Sequence, residues 1–313
     1  MTRHETTEPV TRQLLSGIVE QVRPLTVHGA VATYIPALAA VPPHQLGLAV
    51  WDGGPTEVIG VGDADVPFSI QSISKVFSLA LALRHGGVDR LWARVGREPS
   101  GDPFNSIALL EREQGVPRNP FINAGAIVVA DLLCTLRPDP VADLVAFVSE
   151  LTGEAVAVDT VVAASEAATG FRNRALANMI RSFGNLDNDV DPVLDVYFRQ
   201  CSLAMTARQL ARALRFLAND GIDPATGAAV LRPAEARHVN ALMLMAGTYD
   251  AAGAFAYEIG IPCKSGVGGG IVGVVPDRAT VCAWSPALDL TGNSVAARAA
   301  LAALVARTGL TVF

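Results

Sequence analysis

Two short stretches carry side chains that could do covalent chemistry. In Ser72-Ile73-Ser74-Lys75 a hydroxyl and an amine stand three residues apart, and positions i and i+3 of a helix share a face. The segment they open (Ile73, Val76, Phe77, Leu79, Ala80, Leu81, Leu83) is apolar nearly all round, as in a buried helix. A charged lysine is costly in such a helix, and desolvation lowers its pKa. A neutral Lys75 could take the proton of Ser72 and make it a nucleophile. The helix start adds free N–H groups and partial positive charge nearby. The ordinary alternative is a serine cap followed by a lysine that snorkels to water. Ser74 competes as the nucleophile, but it lies off the Lys75 face.

The second stretch is Lys264-Ser265-Gly266, followed by Val267-Gly268-Gly269-Gly270 and an apolar run. Its glycines let backbone come close to a ligand. The N–H of Val267 and the N–H of Ser72 could then form the two halves of an oxyanion hole. Alone, the stretch reads equally as a flexible loop or a bulged strand. An upstream Ser-x-x-Lys paired with a downstream Lys-Ser-Gly resembles the arrangement of serine penicillin-recognising enzymes.

The elements that would position these groups change character along the chain. Residues 9–23 have helical spacing. Leu46–Asp52 and Glu57–Gly62 read as strands around the turn Asp52-Gly53-Gly54-Pro55. From 72 to about 247 the segments are helix-like: 73–83, closed by Gly86-Gly87, then 104–113, 124–136, 139–151, 159–168, 173–183, 190–200, 206–219 and 233–246. Strands return at 268–276 and 279–286, joined through Pro276-Asp277-Arg278, and an Ala-rich helix over 292–308 closes the chain. This order predicts an α/β (α+β) fold: an antiparallel sheet built from both chain termini and flanked by helices, with an all-helical lobe inserted between. The expected organisation is one catalytic domain over 1–313, its α/β part about 1–71 and 250–313, its helical part about 72–249. Strands and helices do not alternate, which disfavours a Rossmann fold.

Composition narrows the function. Half of the 313 residues are hydrophobic and only 17% are charged, which argues for a large core and against disorder. With 24 basic and 30 acidic residues, no basic stripe marks a nucleic-acid partner. The four cysteines show no CxxC spacing and the five histidines no HxxxH pair, so no metal site is expected, and reduced thiols are. The polar N-terminus lacks a signal peptide's apolar stretch, and the uncharged run Pro24–Trp51 is broken by prolines. A cytoplasmic protein without a membrane span is expected.

The chain as a whole resembles the serine-dependent glutaminases, which share the β-lactamase-like fold. The resemblance is carried by Pro103-Phe104-Asn105-Ser106-Ile107, Asn119-Pro120-Phe121-Ile122-Asn123-Ala124-Gly125-Ala126, Ser165-Glu166, Arg172-Asn173-Arg174-Ala175, Tyr249-Asp250-Ala251-Ala252-Gly253 and Lys264-Ser265-Gly266-Val267-Gly268-Gly269-Gly270, in family order. The stretch 244–248 is less typical of the family. The resemblance implies hydrolysis of L-glutamine to L-glutamate and ammonia, with no cofactor or metal. It also implies a homodimer or homotetramer. Ser72 is implied as nucleophile and Lys75 as its activating partner. Tyr34, Asn123, Glu166, Asn173, Tyr197, Tyr249 and Val267 are implied around the substrate, with Lys264 and Ser265 in support.

The chemistry of these side chains fits glutamine. Glu166 suits its ammonium, Asn123 and Asn173 suit its carboxylate, and Tyr249 could relay a proton to the leaving ammonia. Singly, each has a bland reading: Glu166 a solvated helix residue, Asn123 an N-cap, Asn173 a cap or turn residue, the tyrosines core or rim. Only the ordered set argues for a site. The rival functions are a serine β-lactamase or penicillin-binding peptidase, and a catalytically silent binding module of the same fold. The missing export signal counts against the first, and the intact Ser72, Lys75 and Tyr249 against the second.

Overall fold

The computed structural model describes residues 7–54 and 57–313. Residues 1–6, and Pro55 of the turn expected after Trp51, lie outside the described residues. Strands β1 (Gly47–Trp51), β2 (Ile59–Gly62), β3 (Phe68–Ser69), β4 (Ala157–Val158), β5 (Leu203–Met205), β6 (Cys263–Ser265), β7 (Gly270–Val275) and β8 (Ala279–Trp284) form two sheets. The larger is antiparallel, in the order β2-β1-β8-β7-β6. Strands from both ends of the sequence therefore share one sheet.

That sheet is apolar on both faces, which is why its strands read as unbroken hydrophobic runs. Leu48, Val50, Ile271, Val281 and Ala283 face one cluster with Leu15, Ile18 and Val19 of the helix Arg12–Val22 and Leu301 and Leu304 of the helix Val295–Thr308. Their alternates, Ala49, Trp51, Val272, Val274, Cys282 and Trp284, join the large core of the helical region. Thr11 caps the first of these two helices and Ser294 the second.

The helical region largely matches the expected segments, with instructive exceptions. The expected helix 206–219 is split into Ala207–Ala213 and Arg215–Ala218. The short strands β3, β5 and β4 form a second sheet that the sequence pattern did not show, because two-residue strands have no readable period. Ser72 is not on the first turn of its α-helix: it sits in a 3₁₀ turn, Gln71–Ile73, and the α-helix runs Ser74–Arg84. That helix closes at Gly86 with φ +79°, near the expected place. No helix among the described residues is long and apolar enough to cross a membrane.

Candidate functional site

The 3₁₀ turn holding Ser72 leaves β3 with its backbone anchored, since Ile70 N donates to Leu203 O of β5. Gln71 then adopts φ +50°, a left-handed conformation that a non-glycine residue takes only under constraint. The constraint is the loop after edge strand β6. A Cβ on Gly266 would stand 2.4 Å from Ile70 O, and one on Gly268 2.0 Å from Ser69 O. Two glycines thus let the Lys264–Gly270 stretch lie flush on the serine turn, with Val267 between them. Among the described residues neither the Ser72 N–H nor the Val267 N–H has an acceptor in the chain. Both residues line a cavity of about 270 Å³.

The same cavity collects Tyr34, Asn123, Glu166, Asn173 and Tyr197. Lys75 and Tyr249 do not line it: Lys75 reaches it through a hydrogen bond to Asn123, and the Tyr249 ring packs on Phe104 of its wall. Lys75, 1% exposed, donates from Nζ to Phe121 O (3.1 Å) and to Asn123 Oδ1 (2.7 Å). Burial pushes its amine down from 10.5 to about 8. A neutral amine has two N–H donors and one lone pair. Two acceptors use both donors and leave the lone pair free.

Asn123 transmits this polarity. Its Oδ1 is taken by Lys75, so its Nδ2 donates to Asn173 Oδ1 at 2.9 Å. With its oxygen occupied, the Asn173 amide has donors left to offer. Neither asparagine is a helix cap: Ile122 precedes the helix Asn123–Leu136, and Asn173 lies within Phe171–Ser182, which begins after Gly170.

Tyr249 follows the helix Pro233–Ala246 and holds φ +61°. Its hydroxyl donates to Ser265 O (3.3 Å), and the nearby Ser72 hydroxyl opposes the rise of its pKa. With its proton directed at Ser265 O, its oxygen is left to accept. Burial raises the phenol to about 12. Lys264 stands behind it, Nζ 4.4 Å from the ring centre, donating to Gly247 O (2.9 Å) and Ser265 O (2.6 Å). Burial, then the Lys75 charge, holds the Lys264 amine well below its ordinary value. Lys264 and Ser265 do not line the cavity. The carbonyl of Ser265 receives both Lys264 and Tyr249.

Glu166 is buried rather than solvated, and burial lifts its carboxyl to about 7 against the opposing pull of a Gln71 hydrogen bond and the Lys75 charge. Tyr197 is buried and lines the cavity beside Cys201. Tyr34 is 57% exposed at the mouth. It rides on a strap that meets the rest of the chain through the Ala30–Leu288 bridge and the Ala37 N to Ser165 Oγ bond. Gln71, Phe104 and Cys201 also line the cavity. Sequence reasoning missed Gln71 and Cys201 as site residues. Adjacency to Ser72 was the sole signal for Gln71, and Cys201 had none. Among the described residues no three His, Cys, Asp or Glu side chains converge on a metal-sized site.

Comparison with known proteins gives the family and the fold. The glutaminase family profile matches residues 29–313. A glutaminase of Methylobacterium sp. (strain 4-46) is 53% identical over 304 residues, covering 96% of this chain and 98% of that protein. One of Vibrio cholerae serotype O1 (strain El Tor Inaba N16961) is 53% identical over 97% of this chain and 99% of its own. Among solved structures, a probable glutaminase from Bacillus subtilis complexed with 6-diazo-5-oxo-L-norleucine superposes with TM-score 0.87 at 32% identity, covering all of both chains. The probable glutaminase ybaS superposes with TM-score 0.89 at 37% identity, covering 97% of this chain and 99% of that one. By sequence over nearly its whole length, and by fold, this chain belongs to the glutaminase family.

Proposed function

We propose that this chain hydrolyses L-glutamine to L-glutamate and ammonia through an acyl-enzyme on Ser72. The observation that carries the serine mechanism is the bonding of Lys75: both donors of its neutral form are used, so its lone pair is free to take the Ser72 proton. Ser72 Oγ attacks the side-chain amide carbon as its proton passes to Lys75. The N–H groups of Ser72 and Val267 receive the oxyanion. Tyr249 gives its proton to the departing nitrogen and is reprotonated from Lys75. Water then releases glutamate by the same steps in reverse order. Lys264 and Ser265 act on Tyr249, as positioning residues that fix its hydroxyl.

Substrate recognition follows from the polarity of the site. Glu166 takes the α-ammonium as a charge-assisted partner. Asn173, its oxygen held by Asn123, offers donors to the α-carboxylate. Tyr197 forms the floor and Tyr34 the rim. With the α-groups anchored, asparagine is one methylene short, and misplacement by ~1 Å can cost ~100-fold in rate. The same reading makes the working unit a single catalytic domain, assembled as a cytoplasmic homodimer or homotetramer. Light scattering on the purified protein tests the assembly.

Ammonia release from L-glutamine, L-asparagine and D-glutamine, beside a chromogenic β-lactam, tests the activity. Strong preference for L-glutamine and no β-lactam turnover are expected. Equal rates on asparagine would overturn the anchoring, and an inactive but folded protein would make it a binding module.

A further inference from the structure

A second cavity, of about 520 Å³, lies away from the reaction centre, between the helices Val88–Trp92 and Pro233–Ala246. It falls within the ~300–1,000 Å³ typical of sites for small organic ligands. Its walls are apolar: Leu83, Val88, Trp92, Leu242 and Met245. The exposed positions Ala234, His238, Ala241 and Met245 recur along one face of the second helix and form one side. Two small alanines on that face leave room where longer side chains would fill the groove.

Its lining carries more basic than acidic groups. Glu235 is the one acid lining it, and Arg232 already pairs with that carboxylate at 2.6 Å. Among the described residues no carboxylate pairs with Arg97, whose guanidinium lies 4.8 Å from the centre of the Trp92 ring. His238 adds a further nitrogen donor at the rim. In a chain of net charge −6, an apolar pocket bordered by an unpaired guanidinium is a local inversion of sign. A guanidinium stacked on an aromatic face keeps its N–H edge free for an anion.

We propose that this pocket is a second ligand site, built for a small organic carboxylate with an apolar body: the tail against Trp92, Leu242 and Met245, the carboxylate on Arg97. The reading does not depend on the catalytic mechanism, since none of these residues touches the first cavity.

Octanoate serves as the probe. Of the three tryptophans, Trp51 and Trp284 are buried, so Trp92 reports the pocket. Octanoate should give a saturable blue shift of tryptophan emission in the full chain, lost in Trp92→Phe. Ala241→Glu, at an exposed helix position, should abolish the shift with glutamine turnover unchanged. Arg97→Gln should weaken octanoate about tenfold, and 1-octanol should bind wild type no better than octanoate binds that variant. Saturating L-glutamate should not displace the probe. The proposal is overturned by the absence of a saturable shift, by equal affinity for octanoate and octanol, by a shift that survives Ala241→Glu, or by displacement with glutamate.

Discussion

Replacing Lys75 with methionine separates the chemistry of the lysine from its cost. Burial brings the amine from 10.5 to about 8, so at pH 7 roughly nine molecules in ten still carry the charge. Between about pH 8 and pH 10.5 the folded state binds fewer protons than the unfolded state, so stability rises with pH across that window. Below it both states are protonated and the full penalty stands, about 3 kcal/mol at ~1.4 kcal/mol per tenfold change. Above it both are neutral and the penalty is gone. Lys75→Met carries no such proton. Wild type should therefore gain about 2 kcal/mol on the variant between pH 7 and pH 9.5. This holds whatever fixed cost the variant bears for leaving Phe121 O and Asn123 Oδ1 without a donor. Urea unfolding of both proteins at the two pH values measures the change in the gap. Turnover should follow the same group: kcat at saturating glutamine should climb about tenfold from pH 7 to pH 9 as the amine becomes neutral, and the variant should be inactive throughout. A gap that does not move with pH, together with a flat kcat, would mean that Lys75 keeps its proton and is not the base.

Four further outcomes are expected. Ser72→Ala should abolish ammonia release with the thermal midpoint little changed, whereas Ser74→Ala should retain much of it; the opposite result would move the nucleophile. Since Glu166 titrates at about 7, KM for glutamine should rise as pH falls below 7 and the carboxyl becomes neutral. Glu166→Gln should raise KM ~10–100-fold and erase that dependence, as initial rates across pH 5.5–8 would show. Asn173→Asp should set a carboxylate against the substrate carboxylate and raise KM by at least about tenfold, with the far-ultraviolet circular dichroism intact. Gly268→Ala, whose Cβ would stand 2.0 Å from Ser69 O, should displace the serine turn. It should cost about 1–3 kcal/mol of stability and most of kcat, read by urea unfolding and ammonia release.

The architecture was legible where burial leaves a period in the sequence. The helix Arg12–Val22 buries Leu14, Leu15, Ile18, Val19 and Val22 on one stripe, and β7 and β8 are apolar on both faces because helices cover both. Short elements left no such trace. Strands β3, β4 and β5 are two or three residues long, yet β3 delivers Ser72 to the cavity. The helix Val88–Trp92 was likewise missed, and it forms a wall of the second pocket. At the candidate site the expected shared helix is not found: Ser72 lies in the 3₁₀ turn Gln71–Ile73 and Lys75 in the α-helix Ser74–Arg84.

Backbone strain and amide polarity could not be read from residue types. Gln71 and Tyr249 both hold positive φ: one precedes the proposed nucleophile, the other carries the hydroxyl proposed as its proton relay. Such conformations persist only where surrounding contacts over-determine them. Gly266 and Gly268 against the serine turn supply those contacts on one side. Lys264, tied to Gly247 O and Ser265 O, supplies them on the other. The second lysine of the motif pair thus works through backbone: it fixes the carbonyl that orients Tyr249. The polarity of Asn173 is equally invisible in sequence, because an asparagine can donate or accept. It is decided two hydrogen bonds away, by the Lys75 amine, which donates to Asn123 Oδ1 and so leaves Asn123 Nδ2 to donate to Asn173 Oδ1. The group proposed to activate Ser72 therefore also fixes which way the Asn173 amide is polarised at the cavity.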